Sequence, residues 1–297
     1  MSTLPVSDPA RAALWMIGAM LSFSLMAVAG RELSGELDTF EIMLYRSLIG
    51  LVVVLAVATA AGALRDIRCR MLGTHVARNA FHFAGQNLWF YAVGFIPLSQ
   101  LFAFEFSTPL WGALFAPLVV GERWTGTRLA ACGLGFVGIL VVARPDSLAL
   151  SAPTLAAMAC AIGFAGAILL TKRLSRTESI TSILFWLTAI QAVFGLVTVL
   201  WDGDIAFPDA QSAPWVVVVG VCGLIAHFSL AKALKLAPAT VVMPLDFMRL
   251  PLIAMVGFLL YDEPLLLSVF AGSALIFYAN WLNVRAEQKA QAAPPTS

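Results

Sequence analysis

Residues 243–251 read MPLDFMRLP. LKLAPATVV precedes them and LIAMVGFLLY follows, so two opposite charges, Asp246 and Arg249, and two prolines, Pro244 and Pro251, interrupt a largely apolar stretch. A helix facing lipid carries a mid-depth charge at a cost of roughly 2.5–3.5 kcal/mol. The pair therefore needs a partner or a cavity. Which of the two it has depends first on the solvent around the chain.

Composition indicates lipid. Of 297 residues, 60% are hydrophobic and 12% charged, and the mean hydropathy is +0.89. A soluble domain carries roughly a quarter charged residues. The net charge of +1 gives no basic face for nucleic acid. Cys69, Cys132, Cys160 and Cys222 lack C-x-x-C spacing and a nearby histidine, so they read as small apolar fillers rather than metal ligands.

About twenty apolar residues cross a bilayer as a helix. Ten such stretches occur, near 12–30, 39–61, 77–96, 99–120, 126–143, 153–171, 180–200, 214–234, 238–260 and 264–284. No soluble domain has room between them, and the tail QKAQAAPPTS reads as disordered. Arg11, the first apolar run and AVA at 27–29 also fit a signal peptide, but that run is long and has an internal counterpart. With the N-terminus inside, thirteen lysines and arginines fall in inner segments and two, Arg31 and Arg144, in outer ones. This positive-inside bias places both termini in the cytoplasm.

The internal counterpart is a repeat. At an offset of 141, RELS at 31–34 meets KRLS at 172–175, Phe23 meets Phe164, Gly62 meets Gly203, Pro97 meets Pro238 and Glu122 meets Glu263. EF at 105–106 meets DF at 246–247. One ungapped offset serves nearly the whole chain. Five spans per repeat is an odd number, so the second repeat enters the membrane inverted, as in secondary transporters with a site near the midplane. The expected fold is all-α integral membrane, ten transmembrane helices as two inverted repeats at 1–145 and 146–285, with a cytoplasmic tail at 286–297.

Glu105 and Asp246 each lie eight residues past a proline, Pro97 or Pro238. That is about 12 Å into a core of about 30 Å. Asp246 and Arg249 are i,i+3 and share a helix face. Two readings stand: mutual neutralisation inside the bundle, or the border of a substrate path. The third span adds Asn79, His82 and Gln86 on one stripe and Asn87 with Tyr91 beside it. Gln86 meets His227 at the repeat offset. Arg46 either snorkels or pairs with an acid such as Glu41. The candidate substrate-binding residues are Glu105, Asp246, Arg249, His82, Gln86, Asn87, Tyr91 and His227.

GLGFVG at 133–138 has the dinucleotide spacing without the strand and βαβ unit it requires. Its small residues, with Ala271, Gly272, Ser273 and Ala274, suit close helix packing. Trp89 and Trp111 read as lipid-facing or packing residues. No metalloprotease, hydrolase or acidic metal motif is present, so no enzyme activity, cofactor or metal is expected.

Two five-helix repeats, with GE at 121–122 and DEP at 262–264 closing the fourth and ninth spans, resemble the EamA family of the drug/metabolite transporter superfamily. Residues 90–122 and 233–264 are the most family-like blocks. The resemblance implies a central cavity built by spans 1, 3, 4, 6, 8 and 9, with 5 and 10 peripheral; a homodimer, if one forms, would use the last two. The nearer likeness is to YddG-type exporters of aromatic and other amino acids. The implied activity is export of amino acids and related small, zwitterionic metabolites across the bacterial inner membrane by alternating access. The alternative is uptake or exchange of a metabolite such as S-adenosylmethionine or riboflavin, and a receptor or scaffold is the non-transport alternative.

Overall fold

The structure, a computed structural model, describes residues 8–120, 125–144, 151–203, 205–237 and 239–292. Within them the chain forms twelve α-helices. The first six are α1 (Pro9–Leu33), α2 (Thr39–Ala60), α3 (Leu72–Val93), α4 (Leu98–Glu105), α5 (Thr108–Val120) and α6 (Gly126–Ala143). The rest are α7 (Ala152–Leu174), α8 (Ile180–Asp202), α9 (Ala213–Leu236), α10 (Ala239–Phe247), α11 (Arg249–Tyr261) and α12 (Leu267–Ala292).

Local sequence explains where they begin and end. Asp38 and Glu41 form a reciprocal capping box at the start of α2. Ser151 and Ser179 accept from the third residue of α7 and α8. Gly62 follows α2 and Gly203 caps α8, both left-handed, at φ 64° and 78°; a residue with a Cβ would be strained there. These two glycines are the pair matched by the 141 offset, so the repeat is written in the backbone. Before α9, the Asp209 carboxyl is held below its ordinary range by the N–H groups of Ser212 and Gln211.

The prolines predict a kinked ninth span, and the helix there stops at Phe247 and restarts at Arg249. The fourth span is interrupted as well, between Glu105 and Thr108. Ser107 lies in the first break and Met248, its repeat mate, in the second. Broken helices at membrane depth need their freed backbone groups covered by protein or a cavity. Asn280 covers one, donating to the Phe106 carbonyl at 2.9 Å.

Packing crosses between the repeats. α1 lies along α9 and α7 along α3, a pairing that the offset converts into itself; α2 lies along α8, and α6 along α12. The last pair is in backbone contact. A Cβ on Gly138 would meet the Gly272 carbonyl at 2.7 Å, and one on Gly272 would meet the Gly138 carbonyl at 2.6 Å. Of the glycines of GLGFVG, Gly138 thus serves close packing on α12 and Gly135 seats Leu110 of α5, while Gly133 meets nothing. Connecting loops dock symmetrically too. The Ala206 N–H donates to Glu41 and its carbonyl accepts from Tyr45, while the Arg68 carbonyl accepts from Ser182 and Trp186.

At the end of α1, Arg31 ties three elements together. It donates to the Val93 carbonyl at 2.6 Å, to the Ile96 carbonyl, and to Glu263 at 2.5 Å. The other Glu263 oxygen accepts the Leu98 N–H at 2.8 Å.

By length and apolar character, eight described helical stretches can cross a membrane, against the ten expected. α3 is 22 residues long but its polar stripe lowers its hydropathy, and the break at Met248 leaves α10 and α11 too short to count singly. The α12 helix runs to Ala292, so much of the expected disordered tail is helical. Glu122, Pro238 and the GE motif lie outside the described residues. Topology is open to direct test: reporter fusions after residues 70 and 175 should read cytoplasmic, and one after 205 external. A cytoplasmic reading at 205 would remove one span and the inversion with it.

Candidate functional site

The two helix breaks face each other. Phe106 and Phe247, mates under the offset, stack with ring centres 4.3 Å apart. Symmetry-related residues in mutual contact mark the pseudo-two-fold axis of the bundle. Arg249, the first residue of α11, sits there and is 4% exposed. One of its terminal nitrogens bridges Glu105 at 3.2 Å and Asp246 at 3.4 Å. The guanidinium also lies over three rings, at 4.5 Å from Phe23, 5.0 Å from Phe102 and 4.9 Å from Phe106. Such contacts strengthen when water is excluded.

Two carboxylates share one cation, so with all three groups ionised the centre carries one net negative charge. Hydrogen bonding at the centre is incomplete. Nε and Nη1 of Arg249 and Oδ1 of Asp246 are buried without a hydrogen-bond partner. Unmet buried donors and acceptors of this kind are costly and call for a partner, whether water, ion or ligand. Glu105 is held by a second group as well: the Trp89 indole N–H donates to it at 2.8 Å.

A second polar group lies between α2, α3, α8 and α9. Arg46 donates to Gln86 at 2.9 Å. The His82 ring nitrogen and the Gln191 amide are 2.7 Å apart. The His82 and His227 rings are centred 6.1 Å apart, and Phe23 packs edge-on against His227 at 5.4 Å. Phe23 therefore touches both polar groups.

Of the eight residues expected from sequence, Glu105, Asp246 and Arg249 meet at the axis, and His82, Gln86 and His227 meet in the second group. Asn87 stands beside these, half-buried, donating to the Phe83 carbonyl at 2.8 Å while its Oδ1 is unpaired. Tyr91 does not join them: it is 38% exposed and its ring packs on Phe95, near the end of α3 where the face it shares with Asn87 is no longer covered by other helices. Asn79 is fully buried on the His75 and Trp186 carbonyls. Neither reading of Arg46 holds. Glu41 is engaged by backbone N–H groups of Asp38 and Ala206, and Arg46 points inward to Gln86. Trp89, expected to face lipid or pack, is 2% exposed and polar-bonded; its partner Glu105 is on the next helix, α4, across the turn after Val93, so helical spacing gives no signal of the contact.

Comparison with known proteins gives a consistent result. The model of the EamA-like transporter family matches residues 10–144 and 152–285. A riboflavin transporter of Brucella anthropi is 30% identical over 243 residues, 80% of this chain and 85% of the relative. An S-adenosylmethionine uptake transporter of Rickettsia prowazekii is 24% identical over 277 residues, 93% of this chain and 92% of the relative. A solved structure titled "Crystal structure of protein" superposes with a TM-score of 0.64 at 19% identity, over 95% of this chain and 99% of that one.

Proposed function

The chain belongs to the EamA-like transporter family, and on that premise we propose that it is a ten-span secondary carrier with inverted repeats that takes up riboflavin or a closely similar flat metabolite. This takes the uptake alternative over amino-acid export, since relatives along most of the chain are named for riboflavin and S-adenosylmethionine. The carrier sits in the bacterial inner membrane with both termini in the cytoplasm, consistent with the arginine and lysine placement.

The observation that carries the reading is the unmet polarity of the axis beneath an aromatic roof. Arg249 offers two donors, Asp246 one acceptor, and Phe23, Phe102 and Phe106 a set of ring faces. A flavin edge presents carbonyl acceptors and an N–H donor on one flat ring system, which answers all three. Glu105, Asp246 and Arg249 bind the ring edge, with Trp89 orienting Glu105. His82, Gln86, His227 and Asn87 line the way to it. A second reading, S-adenosylmethionine, is favoured by the surplus carboxylate, which suits a sulfonium cation.

The purified protein in liposomes, offered labelled riboflavin, S-adenosylmethionine and aromatic amino acids in turn, tests this. Saturable entry of riboflavin, lost in Glu105→Gln, is the expected result. Movement of amino acids alone would return the protein to the exporter reading.

A further inference from the structure

Two turns meet at the end of the bundle opposite the Arg31–Glu263 contact, the α2–α3 turn and the α7–α8 turn. The Arg68 N–H donates to Ser182 at 3.1 Å, and its carbonyl accepts from the Trp186 indole at 2.9 Å. The Arg70 N–H donates to Glu178 at 2.7 Å, and the Thr177 hydroxyl lies 3.5 Å from Met71 Sδ. This docking gathers exposed cations from distant parts of the chain: Arg65, Arg68 and Arg70 on one turn, Lys172, Arg173 and Arg176 on the other. The exposed acid among them is Asp66, since Glu178 is buried. Among the described residues, none of these arginine side chains is within ion-pair distance of a carboxylate.

A surplus of inner cations is what membrane insertion selects, but insertion does not require them gathered, and neither does the docking. The same clasp exists at the other end of the bundle. There Glu41 and Tyr45, the repeat mates of Ser182 and Trp186, hold the Ala206 N–H and carbonyl. At that end the offset puts Asp209 where the inner turn has Arg68, and Glu32 where it has Arg173. Both acids are engaged: Asp209 closes its own turn by accepting the Ser212 N–H at 2.8 Å, and Glu32 accepts the Tyr261 hydroxyl at 2.7 Å. The arginines have no such duty in the protein. Leu64, Leu72 and Ile180, exposed beside them, put the cations at the border of an apolar surface.

We propose that this corner is a docking surface for anionic phospholipid, the guanidinium groups taking the headgroup phosphate and the exposed leucines and isoleucine the acyl chains. A planar guanidinium meets a phosphate in two-pronged fashion, and basic clusters between helices on the cytoplasmic side suit such headgroups. A lipid bridging the two turns holds helices of both repeats together at that end. The inference rests on the proposed orientation only for which leaflet supplies the lipid.

Phosphatidylglycerol is the probe. The purified full chain in detergent is titrated with phosphatidylglycerol, with phosphatidylcholine as the neutral control, and retained lipid is counted by native mass spectrometry. Wild type should retain phosphatidylglycerol saturably and in preference to phosphatidylcholine. Arg68→Gln/Arg173→Gln should weaken retention about tenfold or more, and Arg68→Lys/Arg173→Lys should recover part. Lys232→Gln/Lys235→Gln removes as many inner charges at the end of α9 and should retain lipid as wild type does. Should the arginine pair not yield folded protein, Arg70→Gln/Arg176→Gln, flanking the Met71–Thr177 contact, makes the same test. Inorganic phosphate, against sodium chloride at matched ionic strength, should not displace the lipid; displacement would make the corner a soluble-anion site and overturn the lipid assignment. No preference for phosphatidylglycerol in wild type, or equal losses in the arginine and lysine pairs, overturns the surface. Retention is read without transport, so its failure is distinct from a failure of riboflavin to enter.

Discussion

Replacing Arg249 with leucine should cut transport sharply and destabilise the folded protein by about 3–5 kcal/mol, because two carboxylates then lose their shared buried cation. Uptake should fall roughly tenfold to a hundredfold or more, the worth of a charged hydrogen bond to the ligand of about 1.5–3 kcal/mol. The rescue pattern separates stability from function. Were Arg249 paired with Asp246 alone, Asp246→Leu/Arg249→Leu would restore stability. Glu105 also contacts Arg249, at 3.2 Å, and in that double variant it retains only the Trp89 indole. The double variant should therefore recover part of the loss, and adding Glu105→Gln should recover most of the remainder. Both rescued proteins should stay inactive in liposomes. Full stability in the double variant would mean that Glu105 is not coupled to the centre. Full activity would reduce the axis to a salt bridge without a ligand.

What sequence could reveal here was position, and what it could not was partnership. Charge and apolar length gave the helical membrane class, and the 141 offset gave the repeat with its paired acids, Glu105 and Asp246. The prolines of residues 243–251 announced a broken helix. The matching break at Ser107 carried less warning, since Pro109 alone sits at a tolerated helix-start position. Partners across the bundle were beyond reach. Periodicity says which face of its own helix a residue occupies, not which helix lies opposite. So Asp246 and Arg249, neighbours on one turn, were paired at once, whereas Glu105 with Arg249, Trp89 with Glu105 and Arg46 with Gln86 needed the fold. The same limit explains Tyr91. The face it shares with Asn87 is polar at one end, and only packing decides where lipid begins. Length and apolar character alone give eight crossings against the ten read from sequence, because the polar stripe of α3 and the break at Met248 lower the apolar signature there.

The Arg31–Glu263 contact should act as a latch on the proposed outer face, and Glu263→Gln should release it. Arg31 binds the α3–α4 turn through the Val93 and Ile96 carbonyls, and Glu263 binds the first N–H of α4 at Leu98. Their ion pair thus joins the end of α1, the entry to the broken fourth span and the turn after α11. In a carrier with two states, such a pair stabilises only the state that forms it. Arg31 keeps its carbonyl partners in the variant, so the lower end of the about 3–5 kcal/mol range applies, still roughly a hundredfold in the equilibrium between states. Spin labels on Gly35→Cys and Leu265→Cys, both exposed positions, can read it once exposed Cys69 is replaced by serine; the other three cysteines are buried. Wild type should give one short distance, and Glu263→Gln a second, longer population. Gly257→Ala should do the same without touching a charge, because a Cβ there would overlap the Glu263 carboxylate. An unchanged distance distribution in both variants would make the pair a fixed staple, and closure of that face would have to come from elsewhere in the bundle.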